Sequence, residues 1–76
     1  MAPYTVSSLP PRASKLLVVE FQTSAMALGQ ACVALRGGHG AVSIQDGEGN
    51  RLAGADLEAC CRGEKSVIRA LRETAH

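Results

Sequence analysis

The sequence predicts a small α+β domain, a two-layer sandwich in which a mixed sheet carries its helices on one face, with elements in the order β-β-α-β-β-α. Three segments predict it. Residues 15–22 read K-L-L-V-V-E-F-Q, a continuous apolar run that becomes an alternating one. Residues 24–36 carry apolar side chains at helical spacing between a Thr-Ser start and a Gly-Gly stop. Residues 41–45, A-V-S-I-Q, alternate like a half-buried strand and run into the turn-forming stretch D-G-E-G-N.

In chain order, Tyr4, Thr5 and Val6 open a short strand over residues 4–9. Pro10 and Pro11 stop it, because proline cannot donate to a ladder; prolines in that place mark a turn or an edge strand. Residues 15–22 form the strongest strand, with Val19 and Phe21 on one face and Glu20 and Gln22 on the other. Thr23 or Ser24 caps the first helix, since either hydroxyl can accept from an unpaired amide of its first turn. Leu28, Ala31, Cys32 and Leu35 fall on one helical stripe, and Gly37 and Gly38 end it at a left-handed cap. Val42 and Ile44 point one way on the next strand, residues 46–50 turn, and residues 51–53 return as a short partner. From Ala55 onward Leu57, Cys60, Cys61, Val67, Ile68 and Leu71 lie near one helical face. Gly63 interrupts it, so the segment reads as a kinked helix or as two helices meeting there.

A chain of 76 residues makes one domain, residues 1–76, with frayed ends expected at 1–3 and 74–76. Its core is thin. Although 46% of the residues are hydrophobic, many are alanine, and the aromatics amount to Tyr4 and Phe21. Below ~70 to 80 residues a single core rarely supplies more than about 3 to 5 kcal/mol, so a further source of stability is expected. The three cysteines, Cys32, Cys60 and Cys61, cannot all pair within one chain, which argues for a reducing compartment. The N-terminal stretch lacks a basic segment leading into an apolar run, and no stretch approaches a membrane span; a cytoplasmic protein with no membrane association is expected. With disulfides disfavoured, association remains, and the chain is expected to form a homo-oligomer, most simply a dimer paired through residues 4–9.

The motifs that would carry chemistry fail on inspection. Asp46, Glu48 and Asn50 offer oxygens spaced as in a calcium loop, but Arg51 stands where a glycine is needed and Leu57 where a bidentate acid is needed. Gly49 to Gly54 has the spacing of a phosphate loop, yet Ala55 and Asp56 replace its Lys and hydroxyl residue. Gly38-His39-Gly40 follows a helix instead of opening one. Cys60 and Cys61 are adjacent and point ~100° apart on a helix, a poor start for a tetrahedral zinc site. Cys32 and at least one of this pair are expected as small buried residues, leaving the other as a candidate thiol. His39 sits between glycines with no nucleophile or orienting acid beside it, so an exposed loop histidine is expected. No cofactor and no metal are predicted, and no enzyme.

Charge is uneven although the net is +1. Residues 62–76 hold Arg62, Lys65, Arg69 and Arg72, spaced by three and four along one side of a helix, with His76 beyond. A solvated helix face with Arg69 paired to Glu73 is the plainer account of that stripe. Its functional account is an acidic protein partner or, more weakly, duplex nucleic acid; single strands are disfavoured by the shortage of aromatics for base stacking. The sequence therefore predicts a non-enzymatic interaction or regulatory module with Arg62, Lys65, Arg69 and Arg72 as its partner-binding residues. The alternatives are a weak duplex binder using the C-terminal basic helix and a small thiol-dependent redox protein using Cys60 or Cys61.

Overall fold

The computed structural model of the chain describes residues 4–73; the ends expected to fray, and His76 at the end of the basic stripe, lie outside the described residues. Four strands and three helices follow one another: β1 (Tyr4–Leu9), β2 (Leu17–Phe21), α1 (Ser24–Arg36), β3 (Gly40–Gln45), β4 (Arg51–Ala53), α2 (Gly54–Cys61) and α3 (Val67–Glu73). The sheet order is β2-β1-β3-β4, and every neighbouring pair is antiparallel.

That order corrects two expectations. The sheet is antiparallel instead of mixed, because β1 inserts between β2 and β3 and pairs with both. β2 and β3 do run the same way, but they are not neighbours, and α1 connects them across β1. For the same reason residues 4–9 are the middle of the sheet and not a free edge. Pro10 and Pro11 end β1 without exposing it, and the chain reverses over Ala13, whose amide donates to the Pro10 carbonyl at 3.1 Å.

Each helix is bounded by local chemistry. Thr23 is extended and its hydroxyl accepts from the Met26 amide at 3.2 Å, so α1 begins at Ser24. At its other end His39 N–H donates to Ala34 C=O and Gly38 N–H to Leu35 C=O, a closure that needs a left-handed residue; Gly38 supplies it at φ +80°. The same pair of bonds recurs after α2, from Glu64 N–H to Ala59 C=O and from Gly63 N–H to Cys60 C=O, with Gly63 at φ +80°. The C-terminal segment is thus two helices that part at Gly63, and Ser66 starts the second by accepting from the Arg69 amide at 3.4 Å.

The core lies between the sheet and the helices. Val6, Ile44 and Leu52 form its sheet side in register, Val6 opposite Ile44 and Ile44 opposite Leu52. Leu57, Val67, Ala70 and Leu71 close it from α2 and α3. The part of α1 that meets the sheet is a row of alanines, Ala27, Ala31 and Ala34, while Leu28, Cys32 and Leu35 are only half-buried. The buried stripe is rotated from the expected one because small residues let the helix axis come close to the strands beneath it. The two aromatics, Tyr4 and Phe21, sit opposite each other across β1 and β2 at the margin of this core.

A disulfide joins α1 to α2. Cys32 and Cys61 are bonded with their Cα atoms 5.7 Å apart, and Cys60 is the free thiol, buried in the core. The odd cysteine count left one pair possible after all, and the inference to a reducing compartment loses its support. The bond closes a separation of 29 residues, for which the chain-entropy account gives about 3 to 4 kcal/mol of stabilisation. Here is a source of stability that the thin core needs and that the sequence alone did not disclose. Reduction, or Cys32→Ser, is expected to lower unfolding free energy by about 3 kcal/mol, read as a lower denaturant midpoint with and without reductant. Ala31→Leu, at a position with no exposed surface, is expected to cost about 1 to 3 kcal/mol by pushing α1 off the sheet, whereas Val33→Leu on the exposed side of the same helix changes the midpoint little.

Candidate functional site

Of the four cations of the basic stripe, two are held in ion pairs, Lys65 and Arg69 border one hollow, and Arg72 borders another. Arg62 caps α2 and donates from Nε to the Glu64 carboxylate at 2.6 Å, which raises the pKa of the guanidinium and lowers that of the carboxyl. Lys65, in the link between α2 and α3, donates to Asp56 at 3.0 Å and comes within 3.9 Å of Glu73; the Asp56 hydrogen bond leads the causes that raise its pKa. These pairs stand in water and contribute little to stability. Arg69 and Arg72 are exposed on α3. They look onto different hollows, Arg69 beside Ser66 and Glu73, Arg72 beside Asp46 and Glu48 of the turn between β3 and β4. Glu73 is approached by Lys65, and the expected Arg69–Glu73 pair is not among the ion pairs of the described residues.

The acidic turn is satisfied from within. Asp46 Oδ1 accepts from the amides of Glu48 and Asn50 at 2.9 Å each, and Oδ2 accepts from the Asn50 side chain at 2.9 Å. Its carboxylate shapes the hairpin, and among the described residues no cluster of three or more His, Cys, Asp or Glu is placed to hold a metal ion.

His39 is half-buried and held, where a free loop histidine was expected. An extra residue in β3 at Ala41 and Val42 breaks the β1–β3 register between Ser7 and Leu9, with Ala41 in the left-handed region at φ 51°. Next to this bulge His39 Nδ1 lies 3.1 Å from Ser8 Oγ. Ser8 is only 2% exposed, so its hydroxyl is sealed from any substrate and the contact satisfies a buried polar group.

The thiols divide by access. The disulfide borders a shallow cavity of about 230 Å³ with Leu35, Arg36, Glu58 and Arg62 around it. Cys60 lies on the inner side, 3% exposed, and burial is the largest effect raising its pKa, ahead of the opposing pull of Lys65. A protonated, buried thiol is a poor nucleophile.

The remaining feature is the free edge of the sheet. β2 pairs with β1 on one side and with nothing described on the other. Leu17 and Val18 stand there 44% and 55% exposed, Leu17 on the helix side of the sheet and Val18 on its open side, and Leu16, just ahead of the strand, is 55% exposed. Both faces of this edge are therefore apolar at consecutive positions. Sequence reading found the strand but not its place in the sheet; the signal was the run L-L-V-V, whose lack of alternation suited a strand covered on both faces. Natural sheet edges are usually broken by charge, proline or a bulge, and within β2 the charged residue is Glu20.

Comparison with protein-family models, with curated proteins and with solved structures finds no match to this chain. Among the described residues no helix is long and apolar enough to cross a membrane. A thiol titration is expected to follow burial: native protein without reductant shows no rapidly reacting thiol, denaturation exposes one, and denaturation with reduction exposes three. A fast-reacting thiol in the native, unreduced protein would contradict the sealed position of Cys60.

Proposed function

We propose that this chain is a non-enzymatic protein-interaction module that binds an extended segment of its partner along the free edge of β2. The single observation behind this reading is the exposure of Leu17 and Val18 on an unpaired edge strand, with exposed Leu16 just ahead of it. Strand addition suits such an edge: the backbone groups facing outward supply hydrogen bonds, and alternate side chains supply specificity above and below the sheet. The cations take a lesser part. Arg62 and Lys65 are held by Glu64 and Asp56, which leaves Arg69 and Arg72 as the charges available to an acidic region of a partner. Split between two hollows, they make a poor track for a duplex backbone.

A redox reading has one observation in its favour, the disulfide at the rim of a surface cavity. Against it stands Cys60, the thiol nearest in sequence, which is buried with its pKa raised. A structural link between α1 and α2 accounts for the bond without a reaction. Disulfides persist in oxidising surroundings; in a reducing cytoplasm the same chain would carry three thiols and lose the stabilisation of the link.

The test is a selection of displayed peptides on the oxidised protein, followed by mapping of amide protection. Selected sequences are expected to be extended and apolar at alternate positions, and to protect the amides of residues 17–21. Val18→Lys is expected to abolish their binding while leaving the circular dichroism and melting temperature near those of the parent, since exposed substitutions usually shift stability by under ~0.5 kcal/mol. Binders that protect α3 and lose affinity in Arg69→Glu, Arg72→Glu would move the site to the basic residues.

A further inference from the structure

We infer that the Cys32–Cys61 disulfide is an exchange site for a small amino-acid thiol, a molecule that carries an α-carboxylate and an α-ammonium beside its thiol, as cysteine does. The site belongs to the helix layer and is independent of the β2 edge. Both bonded cysteines are half-buried and line the cavity of about 230 Å³ beside α1 and α2, so the bond can be reached by a thiol from outside. Drug-sized ligands occupy pockets of ~300 to 1,000 Å³. This smaller hollow suits a ligand of few heavy atoms.

Opposite charges stand on its two walls. Arg36 of α1 and Glu58 of α2 line the cavity, are exposed, and enter no ion pair with each other or with any other described residue. A molecule bearing both charges can bridge them. The remaining charge, Arg62, is bonded to Glu64, with Glu58 a lesser influence on it. Sequence spacing ties each free charge to one sulfur: Arg36 follows Cys32 by four residues on α1, and Glu58 precedes Cys61 by three on α2, so each lies on the same helix face as its cysteine. Negative charge on sulfur is thus favoured at Cys32 and opposed at Cys61.

The bond is set to break in one direction. A ligand whose ammonium meets Glu58 and whose carboxylate meets Arg36 brings its thiolate to Cys61 Sγ. A ligand–sulfur bond forms there, the Cys32–Cys61 bond breaks, and the electron pair leaves on Cys32 Sγ beside Arg36, where it takes a proton from water. The product is a mixed disulfide at Cys61 and a thiol at Cys32. A second ligand thiolate attacks the bound ligand's sulfur and releases the ligand as its own disulfide, while Cys61 leaves as a thiolate and is protonated. The chain gains the pair of electrons that the two ligand thiols lose. No thiol of the chain's own starts the reaction, so the burial of Cys60 is no obstacle to it.

Dissecting the ligand tests the proposal. The oxidised protein is mixed with L-cysteine, with cysteamine, which lacks the carboxylate, and with mercaptopropionate, which lacks the ammonium. Each rate of bond opening is taken at equal thiolate concentration and divided by the rate of the same thiol on a small uncharged disulfide. L-Cysteine is expected to be favoured about fivefold over each fragment, the factor that one solvated charge contact supplies. Arg36→Gln is expected to remove its advantage over cysteamine and keep that over mercaptopropionate, and Glu58→Gln to do the reverse. Acid quenching and peptide mass mapping are expected to find the first mixed disulfide on Cys61. Equal normalised rates for all the thiols overturn the proposal, as do preferences that survive both substitutions, a first mixed disulfide on Cys32, or a bond that none of the thiols opens in the native protein. Where a variant unfolds by circular dichroism, the comparison of thiols on the parent protein still decides, since it needs no substitution.

Discussion

Strand β1 comes first in the chain and lies inside the sheet, and the rest of the architecture is arranged around that insertion. With β1 between β2 and β3, each of its neighbours runs antiparallel to it, and the chain must carry α1 over β1 to reach β3. A helix lying across the middle of a sheet has to settle close to it, which accounts for Ala27, Ala31 and Ala34 on its buried side. The insertion also decides which strand is left outside. β2, the most apolar strand in sequence, becomes an edge, and Leu17 and Val18 at its start, with Leu16 just before them, are exposed.

The closeness of α1 has a cost in burial. Alanine removes less apolar surface from water than leucine or isoleucine, at roughly 25 cal/mol per Å². Ile44, Leu52 and Leu57 are the large hydrophobic side chains with no exposed surface. The Cys32–Cys61 bond offsets part of this deficit by restricting the unfolded chain instead of adding contacts. Its placement suits the need: it ties α1 to α2 on the side where Leu35 and Cys61 are only partly covered. Ser8 and His39 deal with a different cost, that of a hydroxyl on the inner face of a central strand, by meeting each other at the β3 bulge.

What could be read from sequence was local. The limits of α1 are set by the Thr23 hydroxyl and by glycine at position 38, the parting of α2 and α3 by Gly63, and the hairpin turn by Asp46, and each of these acts within six residues of its own position. What could not be read was the joining of distant parts. Strand order depends on which apolar faces meet across the whole chain, and the pattern of residues 4–9 before two prolines suits an edge as well as a centre. The disulfide joins residues 29 apart, and with three cysteines sequence alone could not choose a pair. The basic stripe was visible as spacing, but ion pairing to Asp56 and Glu64 depends on where the break at Gly63 turns the chain.

The comparison of the two sheet edges separates a structural account of the apolar strand from a functional one. β4 shows how this chain closes an edge: the strand is short, exposes Arg51 and is followed at once by a helix that packs against it. β2 has none of these devices at its start, where Leu17 and Val18 follow directly on Leu16. If the strand served only to extend the sheet, its core-side residues Val19 and Phe21 would suffice, and polar residues at 16 and 18 would improve solubility without touching the core. Apolar side chains at those positions gain little in the isolated fold, since more than half of each stays in water. They gain where an extended segment laid along the edge covers them, which is the arrangement that strand addition supplies.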